Sequence, residues 1–293
     1  MHRAAGRAKR LLGDSAELVV EFIRSRMNND GGFRGRGEQS DLYYTVFGLE
    51  GLVALDAEVE VRRTLEYLQK FGNGGSLDLV HLACLARCRA DLSEALVESN
   101  INRDTTQHIE KFHSGDGGYG NCAGAKEGTA YGCFLALGAY QDAGVGVADA
   151  AGLASCVRSL QKEDGSFANE PGGAVGSVPA TAAALMVLHY LQEPIDFSST
   201  DWLLGMFSEN GGSAATVKTP VPDLLSTATA LHALSTLGVS IDRLRQQCLD
   251  FIDSLWSSEG GFYSTWADDT LDCEYTYYGL LAIGRLSKQD ENQ

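Results

Sequence analysis

Four carboxylates fall within seven residues near the end of the chain: Asp268, Asp269, Asp272 and Glu274. Carboxylates this crowded repel one another when ionised, so one can keep its proton above the usual range and act as a general acid. The alternative reading is a solvated loop leading into a helix N-cap, where acids face the free N–H groups of the first turn. A second set is basic: Arg34, Arg36, Lys126 and Lys218 are conspicuous in a chain with 23 Lys and Arg against 39 Asp and Glu. Arg36 precedes Asp41 by five residues and Lys218 precedes Asp223 by five, so the two occupy equivalent places. Together with helix N-termini they would seat an anion; otherwise they pair with neighbouring acids. A third set is aromatic: Tyr43, Tyr44, Phe47, Tyr131, Phe134, Tyr275, Tyr277 and Tyr278. Such rings line apolar cavities and attract cations by ~0.5–2 kcal/mol each, or they simply fill a core. His81, Cys84 and Cys88 share one helical stripe and read as packed core groups rather than metal ligands.

The elements that carry these residues are announced by glycine. Gly-Gly or Gly-Ser turns begin at Gly31, Gly74, Gly117, Gly165, Gly211 and Gly260, 43 to 49 residues apart, each preceded by Asp, Asn or Glu. A period of that length marks an internal repeat. After each turn a polar residue opens an apolar stretch, at Asp41, Asp78, the Lys126–Thr129 segment, Ser177, Asp223 and Asp272. The stretches that follow are apolar on nearly all sides and predict buried inner helices. The segments before the turns, such as 17–27 and 61–71, are apolar on one face only and predict outer helices. The expected fold is all-α, a six-repeat (α/α)6 toroid forming a single domain over 14–287. A basic tail over 1–13 and a C-terminal tail over 288–293 flank it.

Composition narrows the function. The 293 residues are 44% hydrophobic with a net charge of −16, which suits a well-packed chain and argues against nucleic-acid binding. No apolar run reaches the roughly 18 residues that a transmembrane segment needs. Seven scattered cysteines without a CxxC pair read as the reduced thiols of a cytoplasmic protein.

With the repeats placed, the chain resembles the family of protein prenyltransferase β subunits and squalene-type or terpenoid cyclases, the prenyltransferase and squalene oxidase repeat proteins. The likeness is carried by Asp30-Gly-Gly-Phe-Arg-Gly-Arg36 with Ser40-Asp-Leu-Tyr-Tyr-Thr-Val-Phe-Gly-Leu49. It continues in Gln161-Lys-Glu-Asp-Gly-Ser-Phe167 and in Gly260-Gly-Phe262 with Glu274-Tyr-Thr-Tyr-Tyr-Gly-Leu-Leu-Ala-Ile-Gly284. In the prenyltransferases the resemblance implies a zinc held by Asp-x-Cys and His. Those places fall on Asp223, Leu225 and Tyr275, so two of three ligands are absent. No cofactor is expected, and zinc is left only an oxygen-ligated possibility through Asp272 and Glu274. The diphosphate-binding His of the family falls on Ala125.

In the class II cyclases the resemblance implies an Asp-x-Asp-Asp-Thr motif that protonates an alkene. It aligns with Asp272-Cys-Glu-Tyr-Thr276, with Tyr275 in the third position, and Asp268-Asp269-Thr270 reads as a displaced fragment. Asp268, Asp269, Asp272, Glu274 and Tyr275 are therefore the candidate catalytic residues. The implied function is an isoprenoid-binding enzyme of the prenyltransferase or terpenoid cyclase group, acting on a prenyl diphosphate or polyprenyl substrate. Arg34, Arg36, Lys126 and Lys218 would hold the diphosphate, and Tyr43, Tyr44, Phe47, Tyr131, Phe134 and Tyr278 the tail. Two alternatives stand beside it: a non-catalytic toroid binding a lipid or protein, and a β-type subunit that needs a helical partner chain.

Overall fold

The computed structural model describes residues 1–92 and 101–287, with the backbone alone at His2 and at 101–104. The C-terminal tail expected over 288–293 lies outside the described residues. Fourteen α-helices are described, in the order α1 (His2–Gly6), α2 (Ala8–Leu12), α3 (Ser15–Ser25), α4 (Leu42–Ala54), α5 (Val61–Gln69), α6 (Leu79–Asp91) and α7 (Ile101–Ile109). They continue as α8 (Ala130–Asp142), α9 (Ala150–Ser159), α10 (Val178–Tyr190), α11 (Phe197–Gly205), α12 (Leu224–Thr236), α13 (Arg245–Asp253) and α14 (Cys273–Leu286). A two-stranded antiparallel sheet pairs β1 (Ser213–Ala214) with β2 (Pro222–Asp223), with Ser213 opposite Asp223. The helices alternate in character as the sequence predicts. On α10 Val178, Leu185, Met186 and Val187 are buried together with Thr181 and Ala184, so the helix is covered all round. On α5 only Thr64, Tyr67 and Leu68 are buried, while Arg62 and Glu66 face water.

The chain forms two compact units. The first comprises Met1–Asn29, Phe33–Val59 and the chain from Leu204 onward; the second comprises Asp30–Gly32 and Glu60–Leu203. In the second unit the inner helices α6, α8 and α10 pack in succession, α8 touching both others. In the first unit α14 packs between α4 and α12, so the last inner helix meets the first. Leu280, Leu281 and Ala282 of α14 are completely buried there. Burying each leucine is worth about 1.5–3 kcal/mol.

Residues 1–13 differ from the expected solvated tail. They form α1 and α2, with Ala4, Ala5 and Ala8 buried against α14 and α4. Small side chains make this close approach possible: a Cβ at Gly284 would overlap the Ala4 carbonyl. The basic residues Arg3, Arg7, Lys9 and Arg10 lie on the exposed side of the two helices. The charge pattern therefore marks an amphipathic face rather than an unstructured lead-in.

The inner helices are all capped in the same way. The polar residue ahead of each inner helix is its N-cap: the side chains of Asp41, Asp78, Thr129, Ser177, Asp223 and Asp272 each accept a backbone N–H of the first turn. Four residues further on at four of the six turns, Thr45, Thr181, Thr227 and Thr276 accept the N–H of the residue after the Gly-Gly or Gly-Ser pair, from Phe33, Phe167, Ser213 and Phe262. Thr45, Thr227 and Thr276 also donate to the carbonyls of their own caps. At Gly260 φ is +91°, and a Cβ would overlap the Leu18 carbonyl of α3. Only glycine lets that turn seat on the helix.

Candidate functional site

Two loops of the first unit bring the charged candidates together. An antiparallel bridge between Arg34 and Ser40 closes the loop that carries Arg36. Asp41 then starts α4, and Asp272 starts α14 at the end of the loop through Ser264 and Asp268. Arg36 spans the gap: its Nε donates to Asp272 Oδ2 at 3.0 Å, and its Nη2 to Asp268 Oδ2 at 2.5 Å. The Asp272 side chain is 0% exposed, and its other oxygen caps α14 through the Tyr275 N–H at 2.9 Å. Burial pushes the Asp268 carboxyl up, but the Ser264 hydroxyl and the Arg36 guanidinium hold it below its ordinary range. The guanidinium also lies 5.8 Å from the centre of the Tyr275 ring. Both acids are thus held in salt bridges with Arg36.

Glu274 behaves differently. It projects from the first turn of α14, is 8% exposed, and accepts from the Tyr43 hydroxyl at 2.6 Å. Burial pushes its carboxyl up to about 7; the Tyr43 bond and Arg36 oppose the shift, while the nearby Asp272 reinforces it. A substantial share of Glu274 therefore carries a proton at neutral pH, as a general acid requires. Around it stand half-buried rings. Tyr43 meets Tyr44 and Phe47 edge-on at 5.4 and 5.1 Å, Phe47 lies 5.6 Å from Tyr278, and Tyr275 lies 6.3 Å from Tyr278. Gly35 leaves room for the Tyr44 ring, which a Cβ there would overlap. Tyr275 itself is pushed up to about 12, by burial first and by Glu274 next, so its hydroxyl stays protonated.

The other candidates separate from this cluster. Asp269 is exposed and accepts from the Thr270 hydroxyl, and among the described residues no bond ties it to Arg36 as Asp268 and Asp272 are tied. Arg34 turns back onto α3, donating to the Ser25 carbonyl and to Asn28, away from the Arg36 loop. Lys218 is exposed in the loop between β1 and β2, and Tyr277 is fully buried core. Lys126, Tyr131 and Phe134 belong to the second unit, where Lys126 and Tyr131 are exposed and Phe134 is half-buried. Arg36 does reach the site, yet its charge is met by two carboxylates, which weakens it as a seat for diphosphate. The sequence pattern does not pair Tyr43 with Glu274, which the fold joins. A signal existed: each is the second residue after its cap, a position otherwise held by Val80, Tyr131, Pro179 and Leu225. Thr276 reads differently once the turns are seen, because its bonds recur at Thr45 and Thr227 and are structural. Neither of two cavities in the first unit, of about 360 and 480 Å³, is lined by this cluster.

The sequence profile of the prenyltransferase alpha-alpha toroid domain matches residues 7–124, 75–200 and 181–292, nearly the whole chain. The chain belongs to this family. Its fold is the family's all-α toroid. By sequence alone, no curated protein matches it. Among solved structures, the type II terpene cyclase MstE from Scytonema, held with geranylgeranyl dihydroxybenzoate, is similar at 12% identity over 98% of each chain, with a TM-score of 0.68. The protein geranylgeranyltransferase-I of Candida albicans, complexed with GGPP, is similar at 15% identity over 91% of this chain and 76% of that one, with a TM-score of 0.51. An alpha-1,6-mannanase of Salegentibacter sp., bound to alpha-1,6-mannotriose, reaches a TM-score of 0.65 at 12% identity over 94% and 98%. At such identities the likeness is one of fold, and unlike chemistries share it.

The places that the resemblance assigns to the prenyltransferase zinc are Asp223, Leu225 and Tyr275. Both Asp223 oxygens are engaged by Ser226, at 2.7 Å each, in capping α12. Leu225 offers no donor atom, and the Tyr275 phenol stays protonated. Among the described residues no three of His, Cys, Asp and Glu converge as a metal would need. No described helix is long and apolar enough to cross a membrane.

Proposed function

We propose that this toroid is an isoprenoid-binding enzyme of the terpene cyclase type in which Glu274 delivers a proton to the bound substrate. The observation that carries the reading is the Glu274 carboxyl: buried among half-exposed rings, bonded to Tyr43, and raised to about 7. Beside it, Arg36 holds Asp268 and Asp272 in fixed positions. An acid this weak transfers its proton best to a basic atom, so an oxygen acceptor such as an epoxide suits it better than a bare alkene. The proton would pass to the epoxide oxygen, the C–O bond would open as a neighbouring double bond attacks the carbon, and a ring would close. The positive charge then formed along the chain is of the kind that the faces of Tyr44, Phe47 and Tyr278 stabilise. Loss of a proton to the Glu274 carboxylate ends the sequence and restores the acid.

The similarity to a cyclase that binds geranylgeranyl dihydroxybenzoate supports a substrate with a long isoprenoid chain. Among the two substrate classes that the family suggests, a neutral polyprenyl compound is favoured over a prenyl diphosphate. An incoming diphosphate would compete with Asp268 and Asp272 for Arg36. The test is incubation of the purified chain with a geranylgeranyl compound and its terminal epoxide, with products followed by mass spectrometry. Glu274→Gln is expected to bind the substrate and to lower turnover by about 100-fold or more, the usual contribution of a general acid. Unchanged turnover in Glu274→Gln would remove the acid assignment. Absence of binding by any isoprenoid would remove the substrate class.

A further inference from the structure

We propose a second ligand site in the first unit, between α2, α13 and α14, that takes a small amphiphile with an apolar body and a cationic head. It is a cavity of about 360 Å³, within the range of small-molecule sites. Phe262 and Ile283 form its floor, 2% and 6% exposed, and Leu11, Leu12, Leu249 and Trp256 form its walls. A lining of this kind takes a hydrocarbon body. Leu11 is 43% exposed at the opening.

The charge of the head follows from the lip. Asp250 and Asp253 both border the cavity, three residues apart on one face of α13. They stand in the last turn of that helix, where the backbone dipole is negative and a carboxylate is disfavoured. No basic residue occupies that turn to offset them. The Asp250 carboxylate accepts from the neutral Gln246 amide at 2.8 Å. Two anions at the negative end of a helix, framing an apolar cavity, form a field that an ammonium or guanidinium head would relieve and an anionic head would worsen. The half-buried Trp256 ring adds a face on which such a head can rest. This site is separate from the one at Glu274. Ile283 lies nine residues further along α14, which is about 13 Å at 1.5 Å per residue.

The probes are n-octylammonium, n-octanoate and n-octanol, below their aggregation concentrations, titrated into the full chain at pH 7.5 by calorimetry and by tryptophan fluorescence. One octylammonium is expected to bind per chain, with octanoate weaker by about tenfold or more, as repulsion by two close carboxylates implies. Asp250→Asn with Asp253→Asn should erase that preference and leave octanol binding unchanged. Leu249→Trp, which fills the cavity, should abolish binding of all three while circular dichroism shows an intact fold. Equal affinity for octylammonium and octanoate would overturn the charge assignment. Binding that survives Leu249→Trp, or that is lost in Glu274→Gln, would place the ligand elsewhere and overturn the site. Failure of octylammonium to bind would overturn the proposal outright, whatever the fate of the isoprenoid reading.

Discussion

Replacing Glu274 by Gln isolates the cost of keeping a carboxyl in this site. Holding the group at about 7 rather than at the 4.5 of an ordinary glutamate means that the folded state disfavours its ionised form by about 3 kcal/mol. At 8% exposure there is little solvent screening to reduce this figure. Below pH 4.5 the carboxyl is protonated in both folded and unfolded chains, and the group has no effect on the balance. Between pH 4.5 and 7 the unfolded chain gives up the proton while the folded chain keeps it, so stability falls as the pH rises. Above pH 7 the full penalty is present. Gln cannot ionise, and its amide oxygen can still accept from the Tyr43 hydroxyl. Glu274→Gln is therefore expected to match the parent near pH 4 and to exceed it by up to about 3 kcal/mol at pH 8.5. Urea unfolding of both proteins, followed by circular dichroism at several pH values, gives the difference directly. Other titrating groups are common to the two proteins and cancel. A difference that does not change with pH, or a Gln variant less stable at pH 8.5, would refute the reasoning.

Four further outcomes follow from the fold and the site. Arg36→Ala leaves the buried Asp272 carboxylate without its ion partner and should cost about 1–3 kcal/mol, reduced from the fully buried case because Arg36 is 43% exposed. Because Arg36 opposes the upward shift at Glu274, the same variant should raise the Glu274 titration seen by carboxyl-carbon NMR, and Arg36→Lys should restore it only in part. Gly260→Ala, which forces a Cβ into the Leu18 carbonyl at positive φ, should lower stability by at least about 2 kcal/mol in thermal unfolding. Asp223→Ala removes the cap of α12 and should cost about 1 kcal/mol by urea unfolding.

The backbone was the legible part. Glycine at 260 and aspartate at 272 are local requirements of a positive φ and an open helix end, so their spacing discloses the turns and the inner helices without knowledge of partners. The family likeness rested on those same turns. Side-chain pairings were not legible in that way. Arg34 and Arg36 are two residues apart and indistinguishable by pattern, yet one folds back on Ser25 and the other crosses to residues more than 230 positions away. Nothing in a periodic pattern states which rotamer a long side chain adopts. The acids illustrate the same limit. Proximity in sequence suggested a shared proton among Asp268, Asp269, Asp272 and Glu274. In the fold, Arg36 pairs with two of them, Asp269 is exposed beside Thr270, and burial with the Tyr43 bond sets Glu274 apart. The N-terminal residues misled for a related reason, since alanines between basic side chains show a helix face only when something packs against it.

The wiring of the turns bears on how such a protein can change. A cap side chain bonds the first turn of all six inner helices, and at four of them a threonine four residues on also accepts from the preceding glycine turn, whatever residue stands two places after the cap. That place is held by Tyr, Val, Tyr, Pro, Leu and Glu along the chain, with no matching change in the helix that follows. Reactive groups can thus be exchanged there as interchangeable fittings, one at a time, without a new fold having to evolve for each.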